Sequence, residues 1–276
     1  SFLGGCGVDN TSALAFGSPS SAATELWNGT NWTETTDLST GRGGAASSGN
    51  ATSGLFAGGE GPSQTDSSFW PRTEEWTGAG AAVGGWSTGA GTYTAALAFG
   101  GYKGSDPKST ETESYNGTSW TEVNNLNQAR QALFGFGATS TAALASGGTP
   151  PALAITELWN GTNWTEVNDM NTGRSHGASN GTSTSGLDAG GETPGGVTAV
   201  TESWNGTNWT EVNDLNTARF RISGAGADNT SAIAFGGSPT TGKTEVWNGS
   251  NWTESNDLNT ARYSLGGSGT ATAALA

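Results

Sequence analysis

The chain has 276 residues, 46 of them glycine, and a formal net charge of −14 with only 10 basic residues, which argues against a nucleic-acid or anionic-membrane partner. Its apolar fraction of 33% is low for a globular domain, but 12 tryptophans exclude the usual composition of a disordered chain. The apolar runs are too short to insert into a membrane, and the single cysteine, Cys6, excludes an internal disulfide.

Two short segments recur along the chain. The first ends each copy on Arg and reads TELWNGTNWTETTDLSTGR (24–42), TESYNGTSWTEVNNLNQAR (112–130), TELWNGTNWTEVNDMNTGR (156–174), TESWNGTNWTEVNDLNTAR (201–219) and TEVWNGSNWTESNDLNTAR (244–262). The second lies between these copies and reads ALAFGS (13–18), GLFAGG (54–59), ALAFGG (96–101), ALASGG (143–148), GLDAGG (186–191) and AIAFGG (232–237). Successive copies are roughly 41 to 47 residues apart, a period typical of propeller blades.

Each unit predicts four strands in chain order. A segment of small residues forms the first strand, the Ala-Leu-Ala-Phe run forms the second and stops at Gly-Gly, and a variable loop leads to Thr-Glu-x-Trp as the third. Asn-Gly then predicts a type I′ turn into Trp-Thr-Glu, the fourth strand. We expect the tryptophans of this hairpin to pack between neighbouring sheets and replace an aliphatic core: Trp27, Trp32, Trp159, Trp164, Trp204, Trp209, Trp247 and Trp252.

The units add up to one predicted domain over residues 1–276, with six complete units in 1–262 and a partial seventh in 263–276. Ser1 in place of Met suggests a processed product or an excised fragment. A ring of seven blades is slightly favoured over one of six. Seven blades would need two strands from sequence outside this chain, whereas six would leave two strands surplus.

These residues resemble the kelch repeat family. The resemblance lies in Gly-Gly after the second strand, an aromatic in the third, Trp in the fourth, and Arg after the following loop, and it covers the whole chain. It implies an all-β, kelch-like β-propeller of four-stranded antiparallel blades around a central channel. It also implies that the loops after the second and fourth strands share one face, which such propellers use for binding.

An enzymatic function is not expected. Galactose oxidase is similar to kelch proteins in architecture, but its copper site needs two His, and this chain has only His176. The same scarcity argues against a zinc site and against a Ser-His-Asp triad, and we interpret His176 as incidental. We therefore expect no catalytic residues, no metal and no cofactor.

The recurring arginines admit two interpretations. Arg42, Arg130, Arg174, Arg219 and Arg262 could form an anion-binding ring for carboxylated sugars or acidic peptides at one mouth of the channel. Alternatively, each pairs with the Asp five residues before it or with a neighbouring blade, and the acidity of the chain favours this structural interpretation.

Specificity is expected where the repeats differ, in the loops after the second strand. The most polar of these contains Tyr102, Lys103, Asp106 and Lys108, which we take as candidate ligand-binding residues. An acidic surface rich in Asn, Asp and Trp suits carbohydrate, and a protein ligand is the alternative.

The chain is therefore expected to be a non-catalytic binding or display module of an extracellular, cell-surface or virion protein. Adhesins and phage tail fibres are the analogy for this use of near-identical copies. The alternative is a structural propeller whose incomplete last blade is completed by another segment or subunit, with self-assembly as one outcome. A secreted kelch-type enzyme is the least favoured function.

Overall fold

The structure is a computed structural model, and it describes residues 87–92, 94–102 and 108–275. Before residue 87 it describes the course of the strands alone. In these parts of the chain every regular element is a β-strand, and none is a helix long and apolar enough to cross a membrane.

The strands form sheets that follow one another along the chain. Sheet 1 contains β1 (Gly4–Asp9), β2 (Ser12–Ser18), β3 (Ser21–Trp27) and β4 (Trp32–Glu34). Sheet 2 contains β5 (Ala46–Asn50), β6 (Ser53–Ala57) and β7 (Thr73–Glu75). Sheet 3 contains β8 (Thr88–Thr92), β9 (Ala95–Phe99), β10 (Thr112–Tyr115) and β11 (Trp120–Glu122).

The second half of the chain continues the pattern. Sheet 4 contains β12 (Phe134–Thr139), β13 (Ala142–Ser146), β14 (Thr156–Trp159) and β15 (Trp164–Glu166). Sheet 5 contains β16 (Ala178–Thr182), β17 (Ser185–Thr193), β18 (Gly196–Trp204) and β19 (Trp209–Val212). Sheet 6 contains β20 (Ser223–Asp228), β21 (Ser231–Phe235), β22 (Thr244–Trp247) and β23 (Trp252–Glu254), and sheet 7 contains β24 (Ser268–Thr270) and β25 (Ala273–Leu275).

The sheets are arranged as a propeller ring. Within each sheet, neighbouring strands in the chain pair antiparallel, which confirms the predicted four-stranded unit. The first strands contact one another in succession, from β1 through β5, β8, β12, β16 and β20 to β24. Strand β24 also contacts β1. The first strands therefore lie innermost, around the axis of the ring.

The Gly-Gly pair ends the second strand because its geometry excludes other residues. Gly147 and Gly148 have φ of 59° and 107°, which side chains rarely adopt. The Gly148 N–H donates to the carbonyl of Arg174 at 3.0 Å, and a Cβ on Gly147 would lie 2.5 Å from that oxygen. The pair thus brings the end of the second strand against the loop that follows the fourth strand.

The outer hairpin is confirmed, but its predicted type I′ turn is wrong. Trp159 pairs directly with Trp164, so four residues connect the strands. Gly161 has a positive φ of 91°, and Asn160 does not. Instead, Oδ1 of Asn160 accepts hydrogen bonds from the backbone N–H groups of Thr162 and Asn163 at 2.9 and 2.8 Å. The Asn side chain thus accepts from the backbone N–H groups of this turn, as it does in an Asx turn.

The core lies between neighbouring sheets. Between sheets 3 and 4, Phe99 packs edge-on against Trp164 with ring centroids 4.8 Å apart. Between sheets 4 and 5, Phe134 and Phe136 pack with Trp204 and Trp209. The described tryptophans of the predicted set are all at least 94% buried: Trp159, Trp164, Trp204, Trp209, Trp247 and Trp252. Trp27 and Trp32 lie on β3 and β4, whose side chains are outside the described residues.

Candidate functional site

The loops after the second and fourth strands lie together on one face of the ring. Isolated β-bridges join the loops after β11, β15 and β19 to the end of the second strand of the next sheet or to the loop after it. Gln131 pairs in this way with Thr149, Ser175 with Glu192, and Phe220 with Ser238. We call this side the loop face. The four-residue hairpin turns lie on the opposite side.

Three copies of the recurring arginine, Arg130, Arg174 and Arg219, are buried, and each locks two sheets together. Arg174, in the loop after β15, forms an ion pair with Glu202 on β18 of the next sheet at 2.6 Å. Both side chains are 0% exposed. Arg130 pairs in the same way with Glu157, and Arg219 with Glu245, both at 2.8 Å.

Each glutamate of these pairs also accepts hydrogen bonds from an asparagine in the loop that carries its arginine partner. Oε2 of Glu202 accepts from the backbone and side-chain nitrogens of Asn171 at 2.7 and 2.8 Å, and Oε1 accepts from the Thr172 N–H at 3.1 Å. The carboxylate is thereby fully surrounded by donors, which a buried charge requires. Equivalent bonds join Asn127 to Glu157 and Asn216 to Glu245.

This arrangement corrects the prediction of an anion-binding ring for Arg130, Arg174 and Arg219. Their side chains have no exposed surface, so a ligand on the loop face cannot reach them. Their partner is a glutamate of the neighbouring sheet rather than the residue five positions earlier in their own loop, which is Asp169 before Arg174, Asp214 before Arg219 and Asn125 before Arg130. Asp169 instead holds its own sheet, because its Oδ1 accepts from the Thr156 N–H at 3.1 Å. Arg262 is half-buried, and Arg42 lies outside the described residues.

A second inter-sheet bond joins the fourth-strand tryptophan to the preceding sheet. Nε1 of Trp209 donates to Oγ1 of Thr156 at 2.9 Å, and both groups are buried. We expect Trp209→Phe to lower the free energy of unfolding by about 1 to 3 kcal/mol, because the buried threonine oxygen loses its donor. Urea denaturation measures this change.

The matched control is a double-mutant cycle with Thr156→Val. If the bond carries the effect, the double variant will cost clearly less than the sum of the single variants. Additive costs would show that the tryptophan acts through packing alone.

The interface between sheets 4 and 5 contains an unusual buried acid. Asp188 on β17 stands where β9, β13 and β21 carry alanine, and it is 0% exposed. Its Oδ2 accepts from Oγ of Ser146 at 2.6 Å, whereas its Oδ1 has no hydrogen-bond partner among the described residues. Burial raises the pKa of Asp188 to about 7, and the charge of Glu202 adds to this shift.

A chain of backbone hydrogen bonds runs around the inner rim of the loop face, where the chain enters the first strands. The residue two positions after the recurring arginine has a positive φ in each of four successive units: Ala132, His176, Arg221 and Ser264. The N–H of His176 donates to the Ala132 carbonyl at 3.1 Å, that of Arg221 to His176 at 2.6 Å, and that of Ser264 to Arg221 at 2.9 Å. Successive units are thus joined at this rim.

Four side chains gather on this rim, and we call them the rim cluster: His176, Phe220, Arg221 and Tyr263. The Arg221 guanidinium lies 5.4 Å from the ring centre of Phe220 and 6.0 Å from that of Tyr263. His176 meets Phe220 edge-on at 6.3 Å. Tyr263 is 39% exposed and the other three are half-buried. The cluster therefore presents one cation and aromatic surface to solvent.

His176 is uncharged at neutral pH. Burial, together with the positive charge of Arg221, lowers the pKa of His176 to about 4. Its Nδ1 lies 3.0 Å from Oγ of Ser175. Arg221 is thus the charged member of the rim cluster at neutral pH.

The candidate loop after β9 is described only in part. Tyr102 and Lys108 are half-buried on the loop face, and Lys103 and Asp106 lie outside the described residues. Sequence reasoning missed Phe220, Arg221 and Tyr263, and it treated His176 as incidental. The signal that could have found them is that the two positions after the recurring arginine differ between copies, while the arginine itself does not.

Comparison with known proteins gives no matching family model and no matching curated relative for this chain. The kelch assignment accordingly stays a prediction.

Proposed function

We propose that the chain is a non-catalytic binding propeller that recognises a carbohydrate on its loop face. The observation that supports this function is the rim cluster. The arginine that ends each repeat segment is the same in every copy, yet the two positions after it differ between copies and place Arg221 among aromatic rings.

The chemistry of the cluster favours a sugar with a carboxylate. The face of Tyr263 suits the C–H face of a sugar ring, and the planar guanidinium of Arg221 can donate two hydrogen bonds to a carboxylate. Because His176 is neutral, Arg221 provides the charge that selects such a ligand. The overall charge of −14 weakens this attraction, although salt screens charges beyond about 8 Å.

We further propose that the ring is a kelch-type propeller of seven blades. The contacts of β24 with both β20 and β1 support seven, since they insert sheet 7 between sheets 6 and 1. An extracellular, cell-surface or virion location is proposed with the binding role, as carbohydrate display and recognition occur there.

The test is isothermal titration calorimetry, in which the purified chain is titrated with neutral and with uronic-acid oligosaccharides. We expect saturable binding of an acidic oligosaccharide, and we expect Arg221→Met to weaken it about tenfold or more because a charge-assisted contact is lost. Tyr263→Ala is expected to weaken it by a similar factor.

Lys243→Met is the matched control, because it removes one cation from the loop after β21 on the same face. Its affinity should stay within about twofold of the parent chain, given that surface charges contribute little at this range. Equal affinities for the parent chain, Arg221→Met and Tyr263→Ala would contradict a site at the rim cluster.

A further inference from the structure

The side of sheet 6 that faces sheet 7 differs from the same side of sheets 3, 4 and 5. Five residues lie on this side: Thr244, Asn256, Leu258, Asn259 and Arg262. Together with the outer edge of β25 in sheet 7, we call them the docking surface. In sheets 3, 4 and 5 the equivalent groups are covered by the outer hairpin of the following sheet.

Sheet 5 shows how that hairpin is held. Arg219 and Asn216 both bind the carboxylate of Glu245 on β22, the third strand of sheet 6. Oγ1 of Thr201 accepts from Nε1 of Trp252 on β23 at 3.1 Å. Nδ2 of Asn213 donates to the turn of the same hairpin, to the carbonyl of Ser250 at 2.9 Å and to Oδ1 of Asn251 at 2.7 Å.

The pattern repeats at the two preceding interfaces. The arginine–glutamate pair recurs as Arg130–Glu157 and Arg174–Glu202, and the tryptophan–threonine bond recurs as Trp164–Thr112 and Trp209–Thr156. The asparagine that holds the turn recurs as Asn124 and Asn168. One hairpin therefore satisfies one arginine, two asparagines and one threonine of the sheet before it.

On the docking surface the same groups lack these partners. Among the described residues the Arg262 guanidinium has no carboxylate partner, and its one side-chain hydrogen bond joins Nε to the Thr260 carbonyl at 3.3 Å. The Thr244 hydroxyl donates to the Gly242 carbonyl, and it accepts from no indole N–H of the tryptophans whose side chains are described. Asn256 and Asn259 are exposed, and Leu258 is half-exposed where Leu126, Met170 and Leu215 are buried.

Strand β25 supplies the edge on which such a hairpin would pair. It pairs with β24 in the same antiparallel sense as each second strand with its first, and in the described part of the chain no strand lies on its other side. A second strand with a free edge can accept a further strand through its backbone groups.

We propose that the docking surface binds a β-hairpin of the repeat's own chemistry, with Thr-Glu-x-Trp on the strand next to β25 and Trp-Thr-Glu on the outer strand. Arg262 and Asn259 bind the first glutamate, Thr244 accepts the indole N–H, and Asn256 holds the turn. The occupant is specified by charge and by apolar contact: a carboxylate for Arg262 and an indole to cover the half-exposed Leu258.

The test extends the full chain by a copy of Phe235–Glu254 after Ala276, which corresponds to Ala234 in the repeat. We expect the extended chain to melt about 5 °C or more above the parent chain, because the hairpin buries two tryptophans and pairs Arg262. Amide hydrogen exchange should slow down at the same time at the residue of the Ala274–Leu275 pair whose N–H points away from β24, since that group gains an acceptor on the added strand.

Two matched variants give the proposal its specificity. Changing the copied Glu245 to Gln in the extension should remove a large part of the rise in melting temperature. Arg262→Met should also remove a large part of this rise in the extended chain, and it should add little once the Glu→Gln change is present. In the parent chain it should leave the melting temperature unaltered within about 1 °C. This cycle isolates the predicted ion pair from any general cost of the substitutions.

Two results would overturn the proposal: an extension that changes neither melting temperature nor exchange, or an Arg262→Met change that costs the same in both chains. Neither of these outcomes depends on the carbohydrate titration, so the two proposals fail separately.

Discussion

Glu202→Ala is expected to lower the free energy of unfolding by about 3 to 5 kcal/mol. The substitution leaves the buried Arg174 guanidinium without its carboxylate and removes the acceptor of both Asn171 nitrogens and the Thr172 N–H. An uncompensated buried charge costs more than the net contribution of an intact pair. Chemical denaturation followed by tryptophan fluorescence measures the change.

The exposed pair of Lys243 and Glu254 provides the control for this prediction. Its atoms are 3.4 Å apart, and its side chains are 36% and 54% exposed. Glu254→Ala should therefore change stability by no more than about 1 kcal/mol. A combined Arg174→Met and Glu202→Met chain should be more stable than the chain with Glu202→Ala, as it removes both charges. Similar small costs for Glu202→Ala and Glu254→Ala would show that the buried pairs do not lock the sheets.

Asp188 is expected to make the protein less stable as the pH rises from about 4 to about 7. The folded-state pKa is about 7, against an ordinary value of 3.8, because the carboxyl is fully buried. Within this window the folded protein keeps a proton that the unfolded chain has lost, so the contribution is fully present below pH 4 and is lost above pH 7. A difference of about 3 pKa units corresponds to up to about 4 kcal/mol.

Asp188→Ala removes this dependence and restores the alanine found in β9, β13 and β21. We expect the variant to gain stability relative to the parent at pH 8 and to lose that advantage at pH 4, as measured by urea unfolding at several pH values. Asp228→Asn is the control, since Asp228 is the last residue of β20, is not buried, and has its pKa lowered by hydrogen bonds from Thr230. If the stability of the Asp188→Ala variant fell with pH as much as that of the parent chain, other groups would be responsible for the pH dependence.

The repeat period, the four strands and the tryptophan hairpins could be predicted because they depend on local sequence. The turn type could not, because the choice depends on whether the Asn160 side chain accepts from the following N–H groups or the backbone alone makes the turn. The sequence also could not decide between Asp169 and Glu202 as partner of Arg174. Both recur with the same period, and only the stacking of one sheet on the next brings Glu202 to the guanidinium.

The sequence could show that the two positions after the recurring arginine vary, but it could not show that their side chains meet. Phe220 and Tyr263 belong to successive units and share Arg221 only because the ring places equivalent positions side by side. His176 looked incidental in its Gly/Ser-rich segment, yet its positive φ places it in the same row. A repeat protein concentrates on one rim the residues that its sequence spaces one period apart.

The most direct test of the binding function is to map the bound oligosaccharide by NMR on the labelled chain. The proposal predicts that saturating acidic oligosaccharide shifts the backbone amides of His176, Phe220, Arg221 and Tyr263 most, and leaves the hairpin turns at Gly161, Gly206 and Gly249 unchanged. Shifts concentrated at those turns, with the rim amides unaffected, would contradict recognition on the loop face.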